Sequence, residues 1–343
     1  MTDALKAHCS ALRSDIFDQG FLPQWLHVDG PRVTLRLPFA AAPEAKRLIA
    51  GDPLLKGYQW QVEQAIETLP MSKGDGQAAA AKNVIAIASG KGGVGKSSVC
   101  VNLALALAAT GARVGILDAD IYGPSLPLML GNEGKKLTFT PNRKMFPLDE
   151  KGLQVNSLGY LVDKDDATVW RGPMASGALG QLYNDTQWSN LDYLLIDMPP
   201  GTGDIQLTLA QKLPLTGAVI VTTPQTVALR DAQKGIAMFR KVNVPILGVL
   251  ENMSGFMCSN CGHEDDIFGS HGGVEVADKH SVPLLGQWPL ATALRESMDA
   301  GQPLVYAQPE HSYSQMVLAS AQQLAMNAWS LLHEDADGDG ENE

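Results

Sequence analysis

Short, uniformly apolar runs recur along the chain from residue 83 onward, and helical stretches lie between them. Strands that are apolar at every position are buried on both faces, as in a parallel sheet covered by helices. The alternation of such strands with helices is typical of a doubly wound α/β fold. The predicted strands are 84–88, 113–117, 193–196, 218–221 and 246–250, and the predicted helices are 97–110, 204–213 and 227–242.

The first 70 residues show a different, mixed pattern. Residues 32–37 alternate apolar and polar side chains, which predicts a half-buried strand. We predict helices over 42–50 and 59–69, and therefore a small α+β unit. The segment that follows is small and polar, as in a linker. The predicted organisation is a small α+β domain at 1–70, a linker at 71–82 and a large domain at 83–330.

Composition and charge narrow the classes of partner and compartment. The chain of 343 residues has a formal net charge of −11 and no Lys/Arg cluster, which argues against nucleic acid or an anionic membrane as partner. The N-terminus lacks the apolar core of a signal peptide, and no apolar run reaches the roughly 20 residues of a membrane span. Residues 331–343 are acidic, so we predict a disordered tail there. We therefore expect a cytoplasmic protein that binds neither nucleic acid nor membrane.

One glycine-rich segment fits the phosphate-loop pattern G-x-x-x-x-G-K-[ST]. It lies between a predicted strand and a predicted helix, which is the context that the pattern requires. Glycines allow backbone N–H groups to turn toward phosphates, and the helix N-terminus adds its positive dipole. Lys96 is positioned to contact the β- and γ-phosphates of ATP, and the Ser97 hydroxyl can ligate Mg²⁺. The predicted nucleotide-binding residues of this segment are Gly90, Lys91, Gly92, Gly93, Val94, Gly95, Lys96, Ser97 and Ser98.

A second lysine, Lys91, distinguishes this loop from most phosphate loops. The string GKGGVGKS (90–97) resembles the deviant Walker A motif of the SIMIBI class of P-loop NTPases. In that class the first lysine reaches the phosphates of the nucleotide bound by the facing subunit, so the resemblance implies a homodimer and a catalytic role for Lys91. The same resemblance makes Asn252 a candidate contact for the adenine base, with a turn-forming role as the alternative.

Acidic side chains follow two of the predicted strands, at the ends that face the ligand crevice of an α/β sheet. Asp120 is the candidate to position Mg²⁺ or the attacking water, and with Lys96 it completes the predicted catalytic group. Asp118 is expected to be structural. The strand LLID (194–197) has the form of a Walker B strand, which predicts that Asp197 holds the Mg²⁺ shell. The glycine-rich loop 198–204 is the candidate sensor of the γ-phosphate.

The cysteines offer a separate candidate site. Cys9 and Cys100 are isolated in the sequence, so no disulfide framework is indicated and a reducing compartment is expected. Cys258 and Cys261 form a C-x-x-C pair. A thioredoxin-type pair requires a different strand–helix context, and a haem attachment site requires His where Gly262 stands. A zinc or iron–sulfur site needs about four ligands, which two chains related by a two-fold axis would supply as four thiolates.

Several motifs, in order, make the chain similar to a known family. They are GKGGVGKSS (90–98), LDADIYGPSLP (117–127), WRGPMASGAL (170–179), IDMPPGTGD (196–204), ENMSGFMCSNCGH (251–263) and LLGQWPL (284–290). Through these strings residues 83–325 resemble the Mrp/NBP35 (ApbC) family of iron–sulfur cluster carrier ATPases. The resemblance implies that Cys258 and Cys261 of a homodimer bind a labile [4Fe-4S] cluster and deliver it to apo-proteins. The N-terminal unit resembles, with divergence, the small MIP18-like domain that often precedes this core.

Other functions fit parts of the pattern. A spatial-organising ATPase of the septum-site or partition type would need an amphipathic membrane helix or basic DNA contacts, which the acidic tail and net charge oppose. A reductase similar to the nitrogenase iron protein would carry cysteines near the switch segments 120–130 or 197–204, which contain none. A structural zinc at the dimer interface stays open, because thiolates bind zinc well. We expect ATP, Mg²⁺ and a [4Fe-4S] cluster as ligands, slow hydrolysis, and cluster donors and apo iron–sulfur proteins as partners.

Overall fold

The computed structural model describes residues 2–72, 79–121, 123–161, 172–258 and 260–338. Within them the helices are α1 Thr2–Cys9, α2 Ala42–Gly51, α3 Lys96–Ala109, α4 Leu126–Met129, α5 Gly172–Asp185, α6 Asp204–Lys212, α7 Thr226–Lys241, α8 Gly272–His280, α9 Thr292–Asp299, α10 Leu304–Ala307 and α11 Ser312–Gly338. The strands are β1 Leu26–Asp29, β2 Arg32–Leu37, β3 Gln59–Gln64, β4 Ala81–Ser89, β5 Val114–Asp118, β6 Thr138–Phe139, β7 Met145–Phe146, β8 Leu148–Glu150, β9 Leu153–Ser157, β10 Leu191–Asp197, β11 Gly217–Thr222, β12 Ile246–Met257, β13 Glu264–Asp265 and β14 Leu284–Leu290.

The central sheet contains the predicted parallel strands. Among the described residues its order is β13-β12-β11-β4-β10-β5-β9-β8, and β14 also pairs with β12. The pairs from β12 to β9, and the pair of β12 with β14, are parallel, whereas β8 and β13 are antiparallel additions. The doubly wound, mostly parallel α/β prediction is confirmed, and every predicted strand and helix of the large domain coincides with an observed element.

Strand β4 lies at the centre of this sheet, between β11 and β10, and is buried from Asn83 to Ser89. Both α3 and α7 pack against it. Both faces of a strand that is covered in this way are shielded from water, which explains why the run is apolar at every position and does not alternate. The last residue of β4 is therefore part of a rigid core, and this core fixes the position of the loop that follows.

The N-terminal unit is a three-stranded sheet, in which β1 and β2 are antiparallel and β2 and β3 are parallel. The predicted strand at 32–37 and the predicted helix at 42–50 are confirmed as β2 and α2. The helix predicted over 59–69 is wrong, because its first half is strand β3. Trp60 and Val62 pack against the core two residues apart, so the pairing with β2 selects a period of two over a helical period.

The N-terminal unit packs directly on the large domain. The Trp329 ring of α11 lies 5.4 Å from the Trp25 ring and 5.6 Å from the Phe39 ring, centroid to centroid. The Gln64 side chain accepts a hydrogen bond from the Ala42 backbone (3.0 Å) and donates one to the Thr110 carbonyl (3.1 Å). Strand β4 begins at Ala81, inside the predicted linker, of which residues 73–78 lie outside the described part.

The C-terminal helix α11 differs from the expectation of a disordered tail at 331–343. It continues to Gly338, and residues 339–343 lie outside the described part of the chain. The His333 ring stacks on Trp329 at 4.5 Å, and its Nε2 atom lies 3.4 Å from a Glu67 carboxylate oxygen. The contact with Glu67 joins the helix to the N-terminal unit at the point where the helix sequence becomes acidic. Among the described helices, none is long and apolar enough to cross a membrane.

Candidate functional site

The phosphate loop connects the end of β4 to the start of α3, and steric constraints favour glycine at several of its positions. Gly93 and Gly95 have positive φ angles of 83° and 82°, a region that favours glycine. A Cβ atom on Gly90 would overlap the backbone of Asp231 in α7. The loop therefore turns tightly between the sheet and α7, which leaves its backbone free to curve around phosphates.

Lys96, the first residue of α3, is only 6% exposed. Its ammonium group forms an ion pair with Asp197, lies 3.8 Å from Asp120 Oδ2 and donates to Ser97 Oγ at 3.2 Å. Burial lowers the pKa of Lys96, but the neighbouring carboxylates outweigh it, so that the net pKa is raised. Lys96 is therefore cationic at neutral pH and centred among three of the predicted site residues.

Asp197 ends strand β10 beside the phosphate loop and is completely buried. One carboxylate oxygen faces Lys96, while the other has no hydrogen-bond partner among the described residues. Burial raises the pKa of this carboxyl, and the ion pair with Lys96 and a hydrogen bond from Ser97 oppose that rise. A buried oxygen without a partner, next to a serine hydroxyl, has the chemistry of a ligand for a hard cation.

Asp118, at the end of β5, organises the turn that carries Asp120. Its carboxylate accepts hydrogen bonds from the backbone N–H of Asp120 (3.1 Å) and of Leu126 (3.3 Å), and from Ser157 Oγ (2.9 Å). Burial and the nearby Asp197 raise the pKa of Asp118 to about 7. This geometry supports the structural role expected for Asp118, while the Asp120 side chain stays partly exposed beside Lys96.

The loop that follows Asp197 is joined to the end of β4 by backbone hydrogen bonds. Met198 N–H donates to the Ile87 carbonyl, and Gly201 N–H donates to the Ser89 carbonyl, both at 3.0 Å. The loop thus lies beside the phosphate loop, where a γ-phosphate sensor has to be, although the sensing role stays a prediction. Between them opens a cleft of about 230 Å³, which is smaller than the roughly 300–1,000 Å³ of most small-molecule sites. The cleft that the described residues form is thus small for a whole nucleotide.

The two residues assigned by resemblance to the SIMIBI class lie at the edges of the loop. Lys91 Nζ donates to Gln225 Oε1 at 3.3 Å, at the N-terminus of α7. The Asn252 side chain is 6% exposed and donates to the Val94 carbonyl at 2.9 Å. Asn252 therefore braces the phosphate loop, and the adenine contact stays a prediction.

The cysteine pair occupies the tip of a hairpin, which we call the cysteine hairpin and define as residues 256–258 and 260–265. Its arms are the end of β12 and strand β13, in which Met257 pairs with Glu264. Cys258 N–H donates to the His263 carbonyl at 2.9 Å, which closes the tip. Cys258 is half-buried, Cys261 is exposed, and both thiols are free. Hydrogen bonds from the backbone N–H groups of Asn260 and Cys261 lower the pKa of Cys258.

The other two cysteines differ sharply from this pair. Cys9 and Cys100 are completely buried, and burial raises the pKa of Cys9 to about 11 and that of Cys100 well above its usual value. No group of three or more His, Cys, Asp or Glu side chains within the described residues is arranged to hold a metal ion. The described chain thus offers two accessible thiols and no further ligand beside them.

Sequence reasoning missed two side chains of the site. Ser157 supports Asp118 from the end of β9, and Gln225 receives Lys91. Ser157 follows the rule that carboxyl ends of parallel strands meet at the crevice, but β9 itself was not predicted. Gln225 lies in the short loop after the predicted strand 218–221, so the same rule could have identified it.

Comparisons with known proteins agree with this geometry. A sequence model of the ParA family, described as NUBPL iron-transfer P-loop NTPase, matches residues 80–325. The iron-sulfur cluster carrier protein of Haemophilus influenzae is 53% identical over 304 residues, covering 87% of this chain and 82% of that protein. The iron-sulfur cluster transfer protein NUBPL of Mus musculus is 50% identical over 230 residues, covering 66% and 72%. The solved structure of a nucleotide-binding protein from Archaeoglobus fulgidus in complex with ADP has a TM-score of 0.58 and 35% identity, covering 67% of this chain and 90% of that one.

Proposed function

The chain belongs to the ParA family of NUBPL-type iron-transfer P-loop NTPases, and on this premise we propose that it is an ATP-dependent iron–sulfur cluster carrier. It binds and slowly hydrolyses ATP, holds a labile [4Fe-4S] cluster between two copies of the chain, and transfers the cluster to apo-proteins. The names of relatives that are half or more identical support the cargo, and the phosphate loop supports the nucleotide.

The observation that carries the proposal is the pair of free thiols at the tip of the cysteine hairpin. An iron–sulfur cluster of the four-iron type takes about four thiolates. Cys258 and Cys261 supply two, and the described residues offer no metal-binding group beside them. Two hairpins related by a two-fold axis complete the ligand set without any other side chain. A cluster bound at an exposed tip is accessible to a recipient protein, as a carrier requires.

The nucleotide site supplies the energy-dependent part of this function. Lys96 meets the β- and γ-phosphates as a buried cation, and Ser97 with Asp197 fits a Mg²⁺ ion, because one Asp197 oxygen is buried without a partner. Bound there, Mg²⁺ would neutralise charge on the phosphates. Asp120 positions the attacking water beside Lys96, at the cleft edge. Hydrolysis is slow because no arginine finger is evident in the sequence.

Lys91 and the incomplete cleft support a dimer as the active unit. The Lys91 ammonium lies at the rim, on Gln225, where a facing chain can be reached. The cleft of one chain is small for a whole nucleotide, so a second chain closes it, with Lys91 on the phosphates of its partner. Two free thiols, one of them half-buried and the other exposed, suit a reducing compartment, and we propose the cytoplasm.

The test is anaerobic reconstitution with iron and sulfide, followed by measurement of iron, sulfide and protein in the same sample. Four thiolates from two chains predict about four irons per dimer. Cys258→Ala and Cys261→Ala should each lose the cluster and its transfer to an apo-enzyme. Both variants should still bind ATP, because the cysteine hairpin lies outside the phosphate loop. Cys9→Ala and Cys100→Ala are the matched controls, and they should retain the cluster because both side chains are buried.

Two outcomes would overturn the proposal. A full cluster on a monomeric chain would rule out the shared site. Zinc that fills the site during anaerobic purification and that iron cannot replace would leave a structural metal instead of a cargo.

A further inference from the structure

Strand β12 runs past the phosphate loop and ends in the cysteine hairpin. Asn252 on this strand contacts the loop, and Cys258 directly follows its last residue, Met257. Six residues at most roughly 3.5 Å apart span no more than about 20 Å. The two sites are therefore joined by one short stretch of backbone.

The Asn252 side chain and the phosphate loop are packed so closely that neither can move without the other. The Asn252 side chain donates to the Val94 carbonyl at 2.9 Å, and a Cβ atom on Gly95 would overlap the same amide. On its other side Asn252 pairs in register with the buried Trp288 of β14. A change in the path of Val94 or Gly95 must therefore shift Asn252 or break its hydrogen bond.

Between Asn252 and the hairpin the strand is irregular. The register with β14 shifts between Asn252 and Phe256. Met253 has a φ of 58° and Gly255 a φ of 79°. A left-handed conformation is sterically unfavourable for a residue such as methionine and persists where the surrounding structure imposes it. Because the pairing with β14 is already interrupted between Asn252 and Phe256, a shift of this segment breaks few hydrogen bonds between the two strands.

We propose that Asn252 is a positioning residue that couples nucleotide occupancy of the phosphate loop to the conformation of the Cys258–Cys261 pair. Phosphates that bind the loop N–H groups reorient the Val94 peptide, Asn252 follows its acceptor, and the irregular segment 253–255 transmits the shift to Cys258. Coupling between two binding sites is reciprocal, so the state of the thiols must change nucleotide affinity by the same factor. Its role in cluster handling rests on the proposed function, but the coupling itself does not.

The test uses the apo-protein without iron or sulfide, so that its failure is distinguishable from failure of the carrier proposal. The rate at which a disulfide reagent modifies Cys258 and Cys261 is measured with and without saturating Mg-ADP. Protein concentration is set so that sedimentation gives the same oligomer in both states. In the wild type we expect Mg-ADP to change the rate by about 5-fold or more. Alkylation of both thiols should in turn change the dissociation constant of Mg-ADP.

At saturating nucleotide, Asn252→Ala should reduce the effect of Mg-ADP on the rate of thiol modification to less than about 2-fold, because the substitution removes most of the coupling free energy. Asn252→Asp keeps the shape but removes the donor, and it serves where the alanine variant does not fold. Asn327→Ala is the matched control, since its side chain donates to the Leu247 carbonyl of β12 at 3.0 Å and not to the phosphate loop. A full Mg-ADP effect in both Asn252 variants, or none in the wild type, overturns the proposal. Complete loss of Mg-ADP binding in folded variants would instead make Asn252 a nucleotide-binding residue.

Discussion

The phosphate loop and the cysteine hairpin differ in how far one chain completes them. Around the phosphate loop, Lys96 is buried against Asp197, and Asp118 organises the adjoining turn from inside the core. At the cysteine hairpin, Cys258 is half-buried, Cys261 is exposed, and the stabilising contacts are backbone hydrogen bonds. The nucleotide site is thus preorganised by the sheet, which strengthens its electrostatics. The thiol pair is left accessible, so that a ligand can enter and leave.

The largest effect is expected from Lys96→Ala, which disrupts the preorganised nucleotide site. ATP hydrolysis should fall by about 100-fold or more, because a buried cation at the transferred phosphate is lost. The free energy of unfolding should also fall by about 3 kcal/mol, since Asp197 is left buried without its partner. Phosphate release and chemical denaturation measure the two effects.

The control for this change is Lys135→Ala, which removes an exposed lysine paired with Glu150. Surface ion pairs contribute about 0–1 kcal/mol, so stability and turnover should stay near the wild type. Wild-type turnover in Lys96→Ala would place the hydrolytic site elsewhere.

A second prediction concerns the difference in reactivity between the cysteines of the hairpin and the two buried cysteines. In apo-protein at pH 7.5, a disulfide reagent should modify Cys258 and Cys261 rapidly and the two buried cysteines only after unfolding. A pKa of about 11 makes the Cys9 thiolate roughly 100-fold rarer than that of an ordinary thiol, before any protection by burial. Cys258 should react first, because hydrogen bonds lower its pKa. Mass spectrometry of partly modified protein gives the order, and early modification of Cys9 or Cys100 would contradict the comparison.

The smallest effect concerns pH and the carboxylate beneath the phosphate site. Burial and Asp197 raise the pKa of Asp118 to about 7 when folded, against roughly 3.9 in an unfolded chain. The folded state therefore holds this proton more tightly, and the stability it contributes below pH 4 is lost as pH rises toward 7. Asp118→Asn removes this loss, so between pH 5 and pH 8 the variant should gain roughly 2–3 kcal/mol relative to the wild type, at about 1.4 kcal/mol for each pH unit below the folded pKa. Urea unfolding at both pH values measures it, with the exposed Asp149→Asn as control, and an unchanged difference would show that Asp118 does not titrate there.

The fold of the large domain was predictable because its signals are local. Each buried strand carries its own apolar run, and the phosphate loop is one contiguous segment between a strand and a helix. The N-terminal unit was harder, because residues 59–64 have no strong period of their own. Their strand conformation comes from pairing with β2 and from packing of Trp60 and Val62 on the core. The same applies to α11, where His333 contacts Glu67 of the N-terminal unit just before the helix sequence becomes acidic.

The sequence by itself determined which chemistry is present: a two-lysine phosphate loop, acidic residues at strand ends, and one C-x-x-C pair. Only the tertiary structure decided which of these groups touch. Lys96 meets Asp197 across 101 positions of sequence, and Asn252 meets Val94 across 158. Local patterns encode the conformation of neighbouring residues, because sterics and periodic burial act over a few positions. Contacts between distant residues depend on how whole elements pack, and no local pattern records that packing.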